Sequence, residues 1–506
     1  MESLRLLMQG FGVALQPMNI FWVTFGGVLG TIVGMLPGLG PAVGVAILLP
    51  LTFSMGPIPA LITMAGVYYG AMYGGSRSSI LINTPGDGAA IAAMWDGYPM
   101  TQQGRAEAAL AISAIASFIG GTIATVFMVF LSLPVAKFAL KFGPAEYFLL
   151  FVFALTATAV AEKERLKGFV MMILGLMIST VGLDPQSGVQ RFTFNLLSLQ
   201  GGIDFLIVII AIFAFGEVLR SFENIGEGKK QIQKKFGKIW ISKEDWKLSK
   251  GAIFRSAPLG FIIGVLPGAG GTIASIMAYN TQKSLSKQPE KFGKGAIDGV
   301  AAPESANNAA SAGAMIPMLT LGVPGSGTTA VMIGALTILG MQPGPMLFQN
   351  QSTIVWGLIA SMLVGNVILA FVNIPLAGLL VRVLAVPPKI LYPLVLAFTF
   401  LGVYAISSVT SDFYVLLVFG MLGYLLSRAK FPMTPLVLAC IVGTGMEQYF
   451  RRAYKLHDGD LTIFISSPLC WTFIVLTAFV VVLPVIRNKI RLSRTKKEAH
   501  SQNTSK

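Results

Sequence analysis

The chain has 506 residues, 54% of them apolar and only 12% charged, and its mean hydropathy is +0.73. This composition excludes an ordinary soluble protein and reads as an all-α polytopic membrane protein. The formal net charge of +15 is carried by Lys and Arg in short connections and in the tail, which is the signature of membrane topology and not of nucleic-acid binding.

Residues 1–18 form a weakly amphipathic start, with no removable signal peptide expected. From Phe21 to Phe53 the chain is apolar but interrupted between Pro37 and Pro41, which predicts helix, break, helix. Ile58 to Ile82 is long enough to span, yet its second half carries Tyr68, Tyr69, Tyr73, Ser76, Arg77, Ser78 and Ser79, so one face should look into protein and not lipid. Further spans are expected at about 108–133, 147–161, 168–182 and 205–219, the compact connection Glu162 to Lys167 being cytoplasmic by its basic residues.

Residues 220–255 read as a basic cytoplasmic linker between a first half, 1–219, and a second half, 256–486. The second half repeats the plan, with a broken apolar stretch from Ala252 to Tyr279 and a polar-faced helix from Ala302 to Leu321. Six later spans are expected, at 354–372, 376–384, 391–406, 413–426, 436–445 and 471–486, before a basic cytoplasmic tail, 487–506. The expected architecture is two related halves with broken or re-entrant helices and about 12 spans. Basic flanks on the second broken stretch and not on the first point to inverted repeats.

Four motifs carry the repeat. GMLPGLGP (Gly34 to Pro41) and GVLPGAGG (Gly264 to Gly271) are near-copies, as are NTPGDGAA (Asn83 to Ala90) and GVPGSGTT (Gly322 to Thr329). Pro37 and Pro267 are 230 residues apart, and Pro85 and Pro324 are 239 apart. Pro removes a backbone donor and Gly admits conformations other residues avoid, so all four stretches should interrupt helices. A break inside a bilayer is tolerable only where protein or a hydrated cavity shields the freed backbone groups, and paired breaks in two halves point to a transporter's substrate site.

The freed helix ends suit an anionic substrate at N-termini and a cation at C-termini. Ser78, Asn83, Thr84, Asn307, Asn308, Ser326, Thr328 and Thr329 supply oxygen and amide partners for a carboxylate or a sodium ion. Small residues also let helices pack closely, and Ser or Thr also patch broken backbone, so each has a purely structural reading too. Arg77 could clamp a carboxylate or merely neutralise Asp87; Asp87 could bind a coupling cation, with Ser326 at its place in the second copy. Glu304 could carry a proton or a cation, but reads best as an ordinary acid near a helix N-terminus. Cys440 and Cys470 suggest neither a metal site nor a disulfide framework, and His457 and His500 lie in polar segments, so no enzyme motif assembles.

These four motifs, with APESANNAASAGAMIPMLTL between Ala302 and Leu321, resemble the large membrane subunit of the tripartite tricarboxylate transporters, the TctA type, from about residue 20 to about residue 485. The resemblance implies a permease of the bacterial inner membrane that imports di- or tricarboxylates, citrate-like acids, driven by a sodium or proton gradient and using no other cofactor. It also implies a small membrane subunit of the TctB type and a periplasmic solute-binding protein of the TctC type. Carried over by motif, the substrate-binding residues are Pro37, Gly38, Gly40, Asn83, Thr84, Gly86, Pro267, Gly268, Gly270, Asn307, Asn308, Gly325, Ser326 and Thr328, to which the residue chemistry alone adds Arg77 and Ser78. The cation-binding residues are Asp87, Asn83, Asn308 and Thr329, with sodium the only metal expected. The rival expectation from another class is a passive organic-anion channel, which would need a continuous polar pore.

Overall fold

The computed structural model describes residues 2–36, 39–52, 54–162, 164–184, 186–223, 239–268, 270–380, 388–407 and 409–482. The expected tail at 487–506, residues 224–238 of the linker, and Pro37 and Gly38 lie outside the described residues. Helix dominates, and the described strands are the two short segments Gly182–Leu183 and Gln190–Arg191, paired antiparallel.

The first half opens with α1 (Glu2–Ala14) and α2 (Pro17–Met35), followed after the break by α3 (Pro41–Thr52) and α4 (Pro57–Ile82). A 3₁₀ turn at Gly88–Ala90 leads into α5 (Ile91–Gln102), and then come α6 (Ala106–Ala139), α7 (Pro144–Ala161) and α8 (Arg165–Ser179). The last apolar run of this half is α9 (Phe205–Ile210) and α10 (Gly216–Glu223), joined through a π-helical turn, Ala211–Phe215.

The second half has α11 (Lys243–Val265), α12 (Gly270–Leu285), α13 (Ile297–Leu321) and α14 (Gly327–Ile338). Beyond them lie α15 (Pro345–Asn350), α16 (Ser352–Asn373), α17 (Ala377–Leu380), α18 (Pro388–Ser407), α19 (Asp412–Arg428), α20 (Met433–Leu456) and α21 (Pro468–Val482).

Helix α11 begins inside the stretch that sequence assigns to the linker. Ser242 Oγ accepts from Asp245 N at 3.0 Å and Asp245 Oδ2 accepts from Ser242 N at 3.1 Å, a reciprocal cap that starts the helix thirteen residues before the expected boundary at 256. Arg105 ties the same carboxylate to the start of α6.

Among the described residues five helices are long and apolar enough to cross a bilayer: α2, α6, α7, α11 and α16. Helices α4 and α13 are as long but more polar, and the reason is position. Ala60 to Leu81 of α4 are buried without a gap, as is nearly all of α13, so neither needs a lipid-compatible surface.

Close helix contact holds each copy together. A Cβ at Gly30 would lie 2.2 Å from Val67 O, and one at Gly34 2.3 Å from Ala71 O, so α2 lies directly on α4. The second copy repeats this between α11 and α13, where a Cβ at Gly260 would lie 2.3 Å from Ala306 O and one at Gly264 2.2 Å from Ala310 O. The matched pairs keep the motif spacings of 230 and 239 residues. Helix α13 also packs along α6 of the first half, so the two copies share one interior.

Candidate functional site

Each copy breaks its helices by the same local devices. Helix α2 closes with Leu36 N donating to Val33 O at 3.0 Å, and α11 closes with Leu266 N donating to Ile263 O at 3.1 Å. Helix α4 ends at Asn83, held in the left-handed region with φ of 56°, and α13 ends at Gly322 with φ of 69°. After these turns a side-chain oxygen caps the next helix: Asp87 Oδ1 accepts from Ala90 N at 3.1 Å, and Ser326 Oγ accepts from Thr329 N at 3.3 Å. Gly86 comes so close that a Cβ there would lie 2.0 Å from Gly34 O, and one at Gly325 would lie 2.8 Å from Ala314 Cα, so both PGxG turns need glycine at this place.

The breaks meet around one cavity of about 1050 Å³. Its wall takes Gly40 and Pro41 from the first break, Thr84 to Ala89 from the second, Gly268 and Gly270 to Ile273 from the third, and Ser326 to Thr328 from the fourth. The N-terminal ends of α3, α12 and α14 therefore face the same space, together with the turn that leads into α5. Unpaired N–H groups and the helix dipole make such ends electropositive. The two copies also touch here: Tyr68 OH lies 3.1 Å from Ser326 Oγ. Thr272 approaches Gly88, and Ala89 approaches Gly271.

The cavity lining also includes Glu162, Glu217, Arg220, Ser427 and Phe431, of which Arg220 is exposed. Arg220 donates to Ser427 Oγ at 3.1 Å, and burial raises the Glu162 carboxyl from its ordinary value.

Of the residues singled out from sequence, Gly40, Thr84, Gly86, Asp87, Gly268, Gly270, Ser326 and Thr328 line this cavity. Thr329 stands one position behind the wall and caps its own turn, its Oγ1 accepting from Ser326 N at 2.9 Å, while Gly325 and Pro267 shape the backbone. Asn307 is fully buried beside the wall, with Oδ1 2.7 Å from where a Cβ on Gly271 would be, and neither its oxygen nor its nitrogen has a partner. Asn308 donates to Glu304 O at 3.3 Å and keeps an unpartnered Oδ1.

Three side chains stand elsewhere than sequence suggested. Arg77 is buried against α16, donating through Nε to Asn373 Oδ1 at 3.0 Å and through Nη2 to Asn373 O, so it neither lines the cavity nor pairs with Asp87. Ser78 bonds Gly75 O inside its own helix, at 3.1 Å. Asn83 is exposed and serves as the left-handed cap, outside the cavity wall.

Glu304 departs most from expectation. It is no helix-terminal acid: α13 starts seven residues earlier, and the carboxyl is fully buried among three serines. Gly88 and Gly271, within the motif stretches expected to line the site, also stand in the wall, whereas sequence reasoning passed over Pro41 and Thr272, which adjoin those stretches; Arg220 carried no signal of its own. Among the described residues no group of three His, Cys, Asp or Glu side chains could hold a metal ion.

Comparison with known proteins decides the family. The model of the tripartite tricarboxylate transporter TctA family matches residues 20–438. The chain belongs to that family. It is 42% identical over 493 residues to an uncharacterized 52.8 kDa protein in the TAR-I ttuC' 3' region of Agrobacterium vitis, a match covering 97% of this chain and 98% of that one. A second relative, an uncharacterized protein in the TAR-II ttuC' 3' region of the same organism, is 42% identical over 233 residues, which is 46% of this chain and 96% of that protein. No solved structure matches. The TctA family is one of multi-pass membrane subunits of tripartite transporters, and this chain, with its apolar spanning helices, is such a membrane protein.

Proposed function

We propose that the chain is the permease subunit that carries a di- or tricarboxylate across the bacterial inner membrane, coupled to a sodium or proton gradient. The observation that carries this reading is the convergence of helix N-terminal ends from all four breaks on one cavity whose inner wall has no Lys or Arg. A carboxylate bound there is held by backbone N–H groups, the dipole and the hydroxyls of Thr84, Thr272, Ser326 and Thr328. Dipoles hold an anion reversibly without the deep charge pair that a buried guanidinium would form. A cation near Asp87 offsets the substrate's charge. The two copies act as inverted repeats whose relative movement turns the cavity from one side to the other.

Topology supports an inward-facing cavity. Arg105, Lys167, Arg220 and Arg428 lie at the helix ends nearest the basic linker, which supports reading that face, and the C-terminus, as cytoplasmic. The lining residues Arg220, Ser427 and Phe431 belong to this face. The opposite face carries the Gly182–Leu183 hairpin and the start of α7, and neither contributes to the cavity wall. A small TctB-type membrane subunit and a TctC-type binding protein complete the transporter.

The test is uptake into proteoliposomes containing the chain with its membrane partner, using labelled citrate, succinate and malate with binding protein added. Accumulation against a gradient that collapses with the ion gradient is expected. Flux that only runs downhill would favour a passive organic-anion channel, and no flux of any acid would remove the carboxylate assignment.

A further inference from the structure

Behind the cavity lies a polar cluster that substrate binding leaves unused. Glu304 Oε1 accepts from Ser76 Oγ of α4 at 2.6 Å, and Oε2 accepts from Ser113 and Ser117 Oγ of α6 at 3.0 and 3.1 Å. All four side chains are at most 5% exposed, so three helices from both copies converge on one carboxyl. Charged groups inside a bilayer protein are costly and tend to mark ion or proton pathways.

No cation balances this carboxyl among the described residues. Arg77 follows Ser76 but turns to Asn373. Helix α6 has no charged side chain between Glu107 and Lys137, and α14, α15 and α16 have none at all. On α11 the charges stop at Arg255, which bonds Gln282 of α12. On α12, Tyr279 bonds Asp96 of α5, and Lys283 is exposed; Tyr98 is the other titratable group on α5. The titratable groups in electrostatic reach are Asp87 and Tyr73.

The shell suits one kind of ligand. Serine hydroxyls both donate and accept, so they can give three hydrogen bonds to a carboxylate and, after one hydroxyl turns, accept the proton of a carboxylic acid. Each serine oxygen stands 2.6 to 3.1 Å from a carboxylate oxygen, so the shell is satisfied by hydrogen bonds alone. Access comes from the cavity side: Asp87 lines the wall, and its Oδ1 lies 3.1 Å from where a Cβ on Gly75 would be, directly before Ser76 in the same turn of α4.

We propose that Glu304 is the binding site of the coupling proton, with Asp87 the relay between it and the cavity. One proton passes from cavity water through Asp87 to the Glu304 carboxylate, which becomes the neutral acid. It returns to water by the same groups when the cavity faces the other side. This assignment rests on the transport reading above and deepens it, because it selects the proton over sodium.

Two measurements test it. Infrared difference spectra of the purified chain across a pH titration should show a protonated-carboxyl band that is absent from Glu304→Gln, a readout that needs no substrate. In proteoliposomes, with whichever of citrate, succinate and malate the wild type carries, Glu304→Gln should lower proton-driven accumulation by about tenfold or more, the size of an ordinary coupling between two sites. The same variant should keep exchange of internal for external acid within about twofold of wild type. Ser113→Ala with Ser117→Ala keeps the acid but removes two donors to its anion, and should move the pH of half-maximal uptake upward by about one unit.

Wild-type uptake driven by sodium and indifferent to protons would overturn this inference alone. So would a Glu304→Gln variant that keeps both the band and proton-driven accumulation, even with lowered thermal stability, since the carboxyl would then only tie helices together. No flux of any acid in the wild type would overturn the transport reading, and this inference with it.

Discussion

The two broken-helix copies agree in backbone and differ in chemistry. Asn83 and Gly322 share the left-handed cap, Leu36 and Leu266 share the closing turn, and the glycine contacts of α2 on α4 recur in α11 on α13. At the same registers Asp87 faces Ser326, Tyr68 and Tyr69 become Asn307 and Asn308, and Ala65 becomes Glu304. Helix approach depends on small residues and turn conformations, so those must recur for either copy to pack. Side chains at the break tips are under no such packing constraint and differ between the copies. Each copy then sends a distinctive polar group into its sibling, Tyr68 to Ser326 and Glu304 to Ser76. The site therefore belongs to the pair and to neither half.

The shared backbone can be broken most severely at the glycine contacts. Gly30→Leu and Gly264→Leu would each drive a side chain into a backbone carbonyl only 2.2 Å from the new Cβ. Both should exceed the roughly 1–3 kcal/mol of ordinary overpacking and abolish a monodisperse peak in detergent size-exclusion chromatography. If one variant folds and the other does not, the copies are not mechanically equivalent.

The divergent chemistry is tested by exchange. Asp87→Ser makes the first tip like the second and should lower coupled uptake by about tenfold or more, with folding retained. Adding Ser326→Asp should not restore uptake. The transplanted carboxylate would sit beside the Tyr68 hydroxyl, whereas Asp87 sits beside Gly75, the residue before Ser76. Recovered uptake in the double variant would show that the two tips are interchangeable.

Local features of this plan were legible in the sequence, and long-range pairings were not. Pro and Gly punctuate the chain strongly enough that α4 was expected at 58–82 and begins at Pro57, and the four breaks were placed from their motifs. The start of α11 was missed although the reciprocal cap Ser242 to Asp245 was there to be read. Arg77 could not be placed because its partner Asn373 is 296 positions away. Glu304 was misread for the same reason: its three serines lie 187 to 228 positions away, and a carboxyl without its partners resembles any acid near a helix start.

A control lies outside the breaks, where charge is handled by ordinary ion pairs. Arg451 of α20 donates to both oxygens of Asp184, at 3.1 and 2.8 Å, and holds that carboxyl well below the usual carboxylate range. A lowered folded value means that the stability is fully present above the unfolded carboxylate value and is lost as pH falls through the folded one. Thermal melting of the wild type should therefore weaken as pH drops below roughly 4, while Asp184→Asn should be less stable above that pH and show less acid dependence. Transport by Asp184→Asn at neutral pH should match wild type, because this pair is remote from the cavity wall.

The smallest effect is expected at Asn83, and it separates a conformational role from a chemical one. The second copy already places Gly322 at that position in the same left-handed conformation. Asn83→Gly should leave both melting temperature and uptake near wild type, since glycine adopts φ of 56° without a Cβ penalty. Asn83→Ala should cost about 1–2 kcal/mol in stability, the strain of a Cβ in that region, and leave substrate affinity unchanged once folded protein is counted. Loss of uptake in Asn83→Gly, with melting preserved, would instead give the amide a direct part in binding and break the match between the two caps.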